Sequence, residues 1–308
     1  METEATPAPI VLGGNVFGWT AGRDDSFAVL DTYLAAGGTQ LDTADSYSQW
    51  APGNSGGESE TMIGAWLAGR TDPPALAIAS KVGQATARKG LAEANIHAAA
   101  RDSLHRLGRS TLDLYYAHFD EDGRPIEEIA RAFSRLLDEG LIKAIGVSNF
   151  SAERITAWLD VAQRDGLHPP TVIQKQYSLV ERGIEADIVP LAQARGLTIT
   201  TYYSLARGFL TGKYRDGAPP VDSPRASIAA GYLDDRGRAV LTALDEVAAR
   251  HQTAPAAIAL AWLAARPAVS GVIASARTTG QLTDVLAAGT VRLTDKDIAQ
   301  LDAASAAR

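Results

Sequence analysis

Residues 112–118, with the sequence LDLYYAH, form a short apolar run that ends in a histidine. Two similar runs precede it: residues 76–81 have the sequence LAIASK and end in Lys81, and residues 39–42 end in Asp42. Each run has the length of a buried strand, and a longer amphipathic segment follows each one. This alternation of short strands with helices predicts a parallel sheet built from β-α units.

The same alternation continues along the whole chain. Eight strands are predicted, near Ile10–Gly13, Thr39–Asp42, Leu76–Lys81, Leu112–His118, Ile142–Ser148, Val172–Tyr177, Leu197–Tyr202 and Val269–Ala274. Helices are predicted between them, and two additional ones near the C-terminus at Arg236–Arg250 and Thr294–Ala304. Eight strands joined by helical crossovers close most naturally into a (β/α)8 TIM barrel. We therefore predict one α/β barrel domain over residues 1–308.

The composition narrows the range of functions. The formal net charge of -7 and the pI near 5.3 argue against nucleic acid or an anionic membrane as a partner, because both need a basic face. The absence of cysteine and the scatter of the five histidines predict no metal site. The N-terminus carries acids where a signal peptide carries lysines, and the longest apolar stretch, Ala254 to Ala265, is too short to cross a membrane. We expect a cytoplasmic protein with a small-molecule substrate; no pattern indicates its oligomeric state.

Four polar side chains fall at one end of the predicted barrel. Asp42 ends the second strand, Tyr47 lies in the loop after it, Lys81 ends the third strand and His118 ends the fourth. TIM barrels build their active sites at the C-terminal ends of the strands, so these residues should meet. A buried lysine stays charged beside a carboxylate, which predicts an Asp42–Lys81 pair, and the ammonium would favour the ionised form of Tyr47. The pattern predicts a proton-transfer site in which His118 binds a substrate oxygen.

Two long loops are predicted on the same face, from Ser46 to Gly57 and from Leu205 to Asp235. Their glycine, proline and aromatic content suits a lid and a wall of the substrate pocket. Trp19, Trp50 and Phe119 either line an apolar substrate pocket there or pack at the barrel rim.

Several sequence motifs resemble the aldo-keto reductase family. In chain order they are LDTADSY, IASKVG, LYYAH, GVSNF, VIQKQYS, YYSLARGFLTGKY and IASARTTGQLTDV. The resemblance implies a (β/α)8 barrel that binds NADPH or NADP+ without a Rossmann fold and reduces an aldehyde or ketone to an alcohol, reversibly. It maps the catalytic tetrad of the family onto Asp42, Tyr47, Lys81 and His118. In that mechanism hydride passes from the nicotinamide to the carbonyl carbon, Tyr47 donates the proton, and His118 orients the carbonyl.

The resemblance also implies a set of cofactor-binding residues, which are Ser148, Asn149, Gln174, Tyr202, Ser204, Leu205, Arg207, Lys213, Ser275, Arg277 and Gln281. The first three would bind the carboxamide of the nicotinamide, and Tyr202 would stack on its ring. The backbone of 204–209 and the side chain of Lys213 would hold the pyrophosphate. Arg277 would bind the 2'-phosphate of NADPH, and Gln281 would contact the adenosine.

The chain departs from the usual family pattern at several places, among them the segment from Ser48 to Gly57. Val285 stands where an asparagine commonly binds adenine, and Ser275 replaces a common glycine. Tyr203 and Ser204 replace a frequent serine-proline pair after the stacking tyrosine. These changes predict weaker recognition of adenine and a differently shaped pyrophosphate loop.

Two other functions are compatible with parts of this pattern. In a barrel aldolase, Lys81 would form a Schiff base with a carbonyl substrate, although the neighbouring Asp42 favours the ammonium form and counts against it. Alternatively, the chain would be a nicotinamide-binding regulatory or sensor protein with little turnover.

Overall fold

A computed structural model of the chain describes residues 9–71, 75–215 and 224–306. Eight parallel strands form a closed barrel, and they are β1 (Ile10–Gly13), β2 (Gln40–Asp42), β3 (Ala77–Val82), β4 (Leu114–Ala117), β5 (Ile145–Ser148), β6 (Val172–Gln176), β7 (Thr198–Tyr202) and β8 (Val269–Ala274). Each strand pairs with the next along the chain, and β1 pairs with β8, with Val11 opposite Ile273. The predicted (β/α)8 TIM barrel is confirmed.

Helices surround the barrel, and they are α1 (Arg23–Ala35), α2 (Glu58–Ala68), α3 (Glu93–Leu107), α4 (Ile126–Asp138), α5 (Ala152–Asp165), α6 (Ile188–Arg195), α7 (Ala226–Ala230), α8 (Asp235–His251), α9 (Pro255–Ala264), α10 (Thr279–Leu286) and α11 (Asp295–Ser305). The additional helices predicted near the C-terminus correspond to α8 and α11. Glycine ends several helices in the left-handed conformation, as at Gly108 after α3 and Gly166 after α5, because it has no Cβ to oppose a positive φ. None of the helices in the described ranges is long and apolar enough to span a membrane.

The core lies between the barrel wall and the helices. Trp158 of α5 and Trp262 of α9 are fully buried there, and Trp66 of α2 is 2% exposed. Trp158 packs edge to face against Phe133, with ring centroids 5.5 Å apart. This packing fixes the outer helices and therefore the positions from which the active-site loops start.

Strand ends differ slightly from the sequence-based prediction. The predicted strand Ile142–Ser148 begins at Ile145 in the structure, because Leu112 and Ile142 form an isolated bridge before the continuous ladder starts. A two-stranded hairpin of Gln84–Ala85 and Arg88–Lys89, which the sequence pattern did not predict, follows β3.

The first predicted loop, Ser46 to Gly57, is a fixed wall held by side-chain hydrogen bonds. Ser48 donates to the carbonyl of Phe17, Asn54 donates to the carbonyl of Gly18, and Gln49 donates to the carbonyl of Gln84. These bonds tie the loop after β2 to the loops after β1 and β3. In the second predicted loop, Leu205 to Asp235, residues 216–223 lie outside the described ranges.

Candidate active site

The four predicted catalytic residues lie together at the C-terminal end of the barrel. Lys81 has no exposed surface, and its ammonium group donates to Asp42 Oδ2 at 2.7 Å, to the carbonyl of Thr43 at 2.7 Å and to Tyr47 Oη at 2.8 Å. These three contacts use all three N–H donors of a lysine ammonium. Lys81 therefore lies behind Tyr47, away from any ligand that enters the site. This arrangement also argues against a Schiff base on Lys81.

The hydroxyl of Tyr47 joins the lysine to the aspartate. It accepts a hydrogen bond from Lys81 and donates one to Asp42 Oδ2 at 3.0 Å. Burial, reinforced by the carboxylate of Asp42, raises the pKa of Tyr47 well above its ordinary value. The phenol therefore keeps its proton at neutral pH. Burial lowers the pKa of Lys81, and the carboxylate of Asp42 opposes that effect.

His118 lies beside Tyr47, with ring centroids 6.2 Å apart. Burial, with a smaller contribution from Lys81, holds the pKa of His118 well below its usual range, so the imidazole is neutral at physiological pH. A neutral imidazole can donate one hydrogen bond to a substrate oxygen without supplying a competing acidic proton.

A cavity of about 730 Å³ opens above these residues. Tyr47 and His118 lie in its wall, and so do all three aromatic residues predicted to face the substrate, Trp19, Trp50 and Phe119. Trp50 and Phe119 are 49% and 43% exposed, and the rings of Trp19 and Trp50 meet edge to face at 5.4 Å. The volume and the mixture of aromatic and polar wall suit a small-molecule ligand.

The residues predicted to bind the nicotinamide lie at the ends of β5, β6 and β7. Gln174 donates to Asp42 Oδ1 at 2.8 Å, and Tyr202 donates to Asn149 Oδ1 at 2.6 Å. Asn149 has a φ of 61° and donates to Ser148 Oγ at 3.0 Å. The structure brings these residues together on the cavity wall; their role in binding a carboxamide stays a prediction.

The loop after β7 has an unusual backbone. Tyr203, Ala206 and Arg207 have φ values of 49°, 47° and 60°, and Gly208 has a φ of 99°. Left-handed backbone costs energy in residues other than glycine and is concentrated at functional sites. The hydroxyl of Ser204 donates to the carbonyl of Ile273 at 2.7 Å, which ties this loop to β8. The pyrophosphate loop predicted from 204–209 is therefore a strained turn that lines the cavity.

Cationic side chains line the part of the cavity next to this turn. They are Arg207, Lys213, Arg225 and Arg277. Burial and the positive charges of Arg277 and Arg225 lower the pKa of Lys213, so the cations repel one another. Burial also lowers the pKa of Arg225. Cations held this close favour an anionic ligand with several charges, and a pyrophosphate or phosphate is of that kind.

The remaining predicted cofactor residues lie beside Arg277. Ser275 donates to Asn15 Oδ1 at 2.6 Å, and the main-chain N–H of Arg277 donates to Gln281 Oε1 at 3.0 Å. Leu205, Ser275, Gln281 and Val285 also line the cavity. Arg277 immediately precedes Thr278, the N-cap of α10, whose hydroxyl accepts a hydrogen bond from the N–H of Gln281.

Sequence reasoning missed Arg225. It lies next to the short helix α7, and its guanidinium lies 5.2 Å from the ring centroid of Trp19. Arg225 therefore connects the loop after β7 to the loop after β1, across the mouth of the cavity. A lone arginine in a proline-rich loop carries no sequence signal that separates it from a surface arginine.

A closed parallel barrel with its polar cluster at the strand ends is typical of barrel enzymes. The family model described as "Aldo/keto reductase family" matches residues 9–306, and the chain belongs to this family. It is 29% identical over 319 residues to the protein tas of Escherichia coli K12, covering 95% of this chain and 92% of that protein. It is 30% identical to the aldo-keto reductase ausK of Aspergillus calidoustus, covering 96% and 78%. A probable voltage-gated potassium channel subunit beta of Oryza sativa is 36% identical over 208 residues, covering 66% and 63%.

These findings confirm the family resemblance seen in the sequence. Aldo-keto reductases are oxidoreductases that act on small-molecule carbonyl compounds and generally use nicotinamide cofactors. The chain is accordingly an oxidoreductase of the carbonyl class.

Proposed function

We propose that the protein is an NADPH-dependent reductase that converts an aldehyde or ketone to an alcohol. The observation that carries this proposal is the buried ammonium of Lys81, which contacts both Asp42 and Tyr47 behind the wall of the cavity. A phenol with a lysine behind it and a neutral histidine beside it is suited to donating a proton to an oxygen in front of it.

In the proposed mechanism Tyr47 is the general acid. NADPH, when bound, supplies the hydride. Tyr47 gives its proton to the substrate oxygen as negative charge develops there, and Lys81 stabilises the phenolate that remains. His118 donates a hydrogen bond to the same oxygen, and both donors act most strongly on the charge of the transition state. Proton donation of this type contributes roughly 10²- to 10⁴-fold to the rate.

The cation cluster supports a dinucleotide with a 2'-phosphate. Arg207 belongs to the strained turn, and Lys213 and Arg225 line the same cavity, so a pyrophosphate at the turn would be neutralised. Arg277 lines the same cavity next to the N-terminus of α10, where both the guanidinium and the helix end favour an additional phosphate. We therefore propose NADPH rather than NADH as the preferred cofactor, with Gln281 at the adenosine.

The aromatic wall supports a substrate with an apolar, planar body. Trp19, Trp50 and Phe119 surround the opening above His118 and Tyr47. Because Trp19 and Trp50 already meet edge to face, a ring entering beside them extends an existing aromatic cluster. We propose aromatic aldehydes and ketones as better substrates than short aliphatic ones.

The direct test is the loss of NADPH absorbance with purified protein and a panel of aromatic and aliphatic aldehydes and ketones. Turnover in the wild type, and its loss in Tyr47→Phe with NADPH binding retained, is the expected result. Equal rates in both proteins would contradict the assignment of Tyr47.

A nicotinamide-binding regulatory protein is the second candidate. It is favoured by the similarity to the probable potassium channel subunit beta over 66% of this chain. Tight NADPH binding with no turnover of any carbonyl in the panel would favour this candidate over the reductase.

A further inference from the structure

A buried carboxyl group without a hydrogen-bond partner lies behind the catalytic lysine. Asp45 is 4% exposed, and neither of its carboxyl oxygens has a hydrogen-bond partner within the described part of the chain. Its main-chain N–H donates to the carbonyl of Lys81 at 3.2 Å, so the two residues are connected through the backbone. Asp45 does not line the ligand cavity. A buried polar group without a partner is costly, and its presence needs an explanation.

The neighbours of Asp45 form a second polar cluster, between β3 and the helices α2 and α3. Glu60 is fully buried, accepts a short hydrogen bond from Ser80, and accepts a bond of 2.7 Å from Arg106 Nε. The hydroxyl of Tyr115 also has no partner among the described residues. Asp45 is thus a carboxyl group placed beside another carboxylate.

The charges around Asp45 balance only when Asp45 is protonated. Asp42 forms an ion pair with Lys81, and Glu60 forms one with Arg106. Within the described ranges no cation is left to pair with Asp45, and an unpaired buried charge is unfavourable. The geometry therefore indicates a neutral carboxyl group near neutral pH.

The electrostatics of the cluster agree with this geometry. The charged and titratable groups that act on Asp45 come from four elements, namely Glu60 of α2, Arg106 of α3, Lys81 of β3 and Tyr115 of β4. Burial, followed by the negative charge of Glu60, raises the pKa of Asp45 to about 8. The positive charges of Arg106 and Lys81, and the main-chain N–H of Gly83, which is near the carboxyl group but outside hydrogen-bonding geometry, act in the opposite direction without outweighing burial.

Ionised Asp45 would act on Lys81. Burial lowers the pKa of Lys81, and the negative charges of Asp42, Asp45 and Glu60 oppose that effect. Asp42 contributes most because it contacts the ammonium directly. When Asp45 loses its proton, Lys81 gains a further nearby negative charge, which favours its ammonium form.

We propose that Asp45 is a positioning residue for Lys81: its buried, unpaired carboxyl group holds a proton, and the negative charge that it gains on releasing that proton favours the ammonium form of Lys81. The role in catalysis rests on the proposed reductase chemistry, whereas the coupling between the two side chains does not. Asp45 touches neither substrate nor cofactor and acts only through Lys81, which acts in turn through Tyr47.

The coupling can be measured without turnover by carbon-13 NMR of protein labelled at aspartate Cγ and lysine Cε. One aspartate resonance should titrate near pH 8 and be absent from Asp45→Asn. The Lys81 resonance, identified by its loss in Lys81→Met, should titrate roughly one pH unit lower in Asp45→Asn than in the wild type. Asp160→Asn, the same chemical change at an exposed carboxylate on α5, is the matched control and should leave the Lys81 resonance in place.

Activity and stability should move in opposite directions in Asp45→Asn. The native carboxyl holds its proton up to about pH 8, whereas the unfolded one releases it near pH 4, so the native wild type loses stability as the pH rises between these values. Asp45→Asn removes this dependence, so the Tm of the variant relative to the wild type should rise between pH 5 and pH 8 and then level off. The alkaline limb of its kcat profile should move down by roughly one pH unit. A purely structural role would not give a more stable and less active variant.

Each result decides a separate statement. If every aspartate resonance titrated near the ordinary pKa of aspartate, the statement that Asp45 holds a proton at neutral pH would be overturned. A Lys81 titration unchanged in Asp45→Asn would overturn the coupling. If the wild type reduces no carbonyl compound, the reductase proposal fails, while the NMR titrations still decide the relation between Asp45 and Lys81.

Discussion

The two ends of the cavity are built in opposite ways. At the catalytic end, Asp42 accepts hydrogen bonds from Lys81, Tyr47 and Gln174 at 2.7 to 3.0 Å, so the polar groups satisfy one another before any ligand enters. At the other end, burial and then the positive charges of Arg277 and Arg225 lower the pKa of Lys213, so like charges oppose one another. Asp42 and Lys81 lie on strands, His118 directly follows β4, and Tyr47 lies in the tied loop after β2. The cations belong to the loops after β7 and β8.

The difference follows from what each end has to do. A catalytic group loses efficiency if it must reorganise during the reaction, so its partners are supplied by the protein itself. A binding site gains affinity by leaving its charges to be neutralised by the ligand. We therefore expect substitutions at the catalytic end to change turnover and substitutions at the cation cluster to change cofactor affinity.

The largest expected effect is at the catalytic end. Lys81→Met should lower kcat for reduction at least as much as Tyr47→Phe, by roughly 10²- to 10⁴-fold, because without the ammonium the phenolate has no stabilising charge. The double variant should be little worse than either single variant, since residues that act as one unit are not additive. Steady-state kinetics with NADPH in excess measure this.

Near-normal turnover in Lys81→Met would contradict the mechanism. Fluorescence titration with NADPH serves as the control, because the cation cluster is untouched and cofactor affinity should be retained. A large loss of affinity would show that the two ends of the cavity are not independent.

The second effect is on cofactor choice. Arg277→Ala should lower affinity for NADPH about ten- to a hundredfold and affinity for NADH much less, because a charge-assisted contact to the 2'-phosphate is worth roughly 1.5 to 3 kcal/mol. Quenching of tyrosine and tryptophan fluorescence measures both affinities. Arg292→Ala, at an exposed arginine that does not line the cavity, is the matched control. Equal losses of affinity for NADPH and NADH would contradict the assignment of Arg277 to the 2'-phosphate.

Arg225 provides the contrasting case within the same cluster. Arg225→Ala should weaken NADPH and NADH to a similar degree, about tenfold, because the pyrophosphate is common to both. Binding of both cofactors to the variant should also be less sensitive to salt than binding to the wild type, because one fewer cation meets the phosphates. Titrations at low and high ionic strength measure this. A loss confined to NADPH would place Arg225, rather than Arg277, at the 2'-phosphate.

The fold was predictable because its signal is repeated. Strands such as Ile10–Gly13 and Val269–Ala274 agree with the predicted bounds to the residue, since apolar runs with clear breaks mark them. The hairpin at Gln84–Ala85 carries no such signal, because two-residue strands show no alternation. The sequence also does not predict the left-handed turn at Ala206 and Arg207, because alanine and arginine rarely adopt a positive φ and only tertiary contacts impose it.

The site was predictable only where it coincides with strand ends. Asp42 and Lys81 end consecutive strands, and Tyr47 follows the first of them. Consecutive strands are neighbours in a parallel sheet of β-α units, so the sequence predicts that these three residues meet. Asp45 is different, because in LDTADSY it resembles a solvated turn residue. Its burial comes from the packing of α2 and α3 over the loop, which no local pattern reveals. Arg225 likewise depends on the path of a long loop.

The smallest expected effect concerns the aromatic wall, which belongs to neither the catalytic cluster nor the cation cluster. Trp50 is 49% exposed and contacts Trp19 edge to face. Trp50→Ala should raise KM for aromatic aldehydes about three- to tenfold and leave KM for short aliphatic aldehydes nearly unchanged, because an aromatic pair is worth roughly 0.5 to 1.5 kcal/mol. Ile228→Ala is the matched control, since Ile228 is also 49% exposed but does not line the cavity. If Trp50→Ala lowered kcat in addition to raising KM, the aromatic wall would also position the carbonyl for Tyr47. A KM that rose equally for both substrate classes would mean that Trp50 shapes the opening without recognising an aromatic ring.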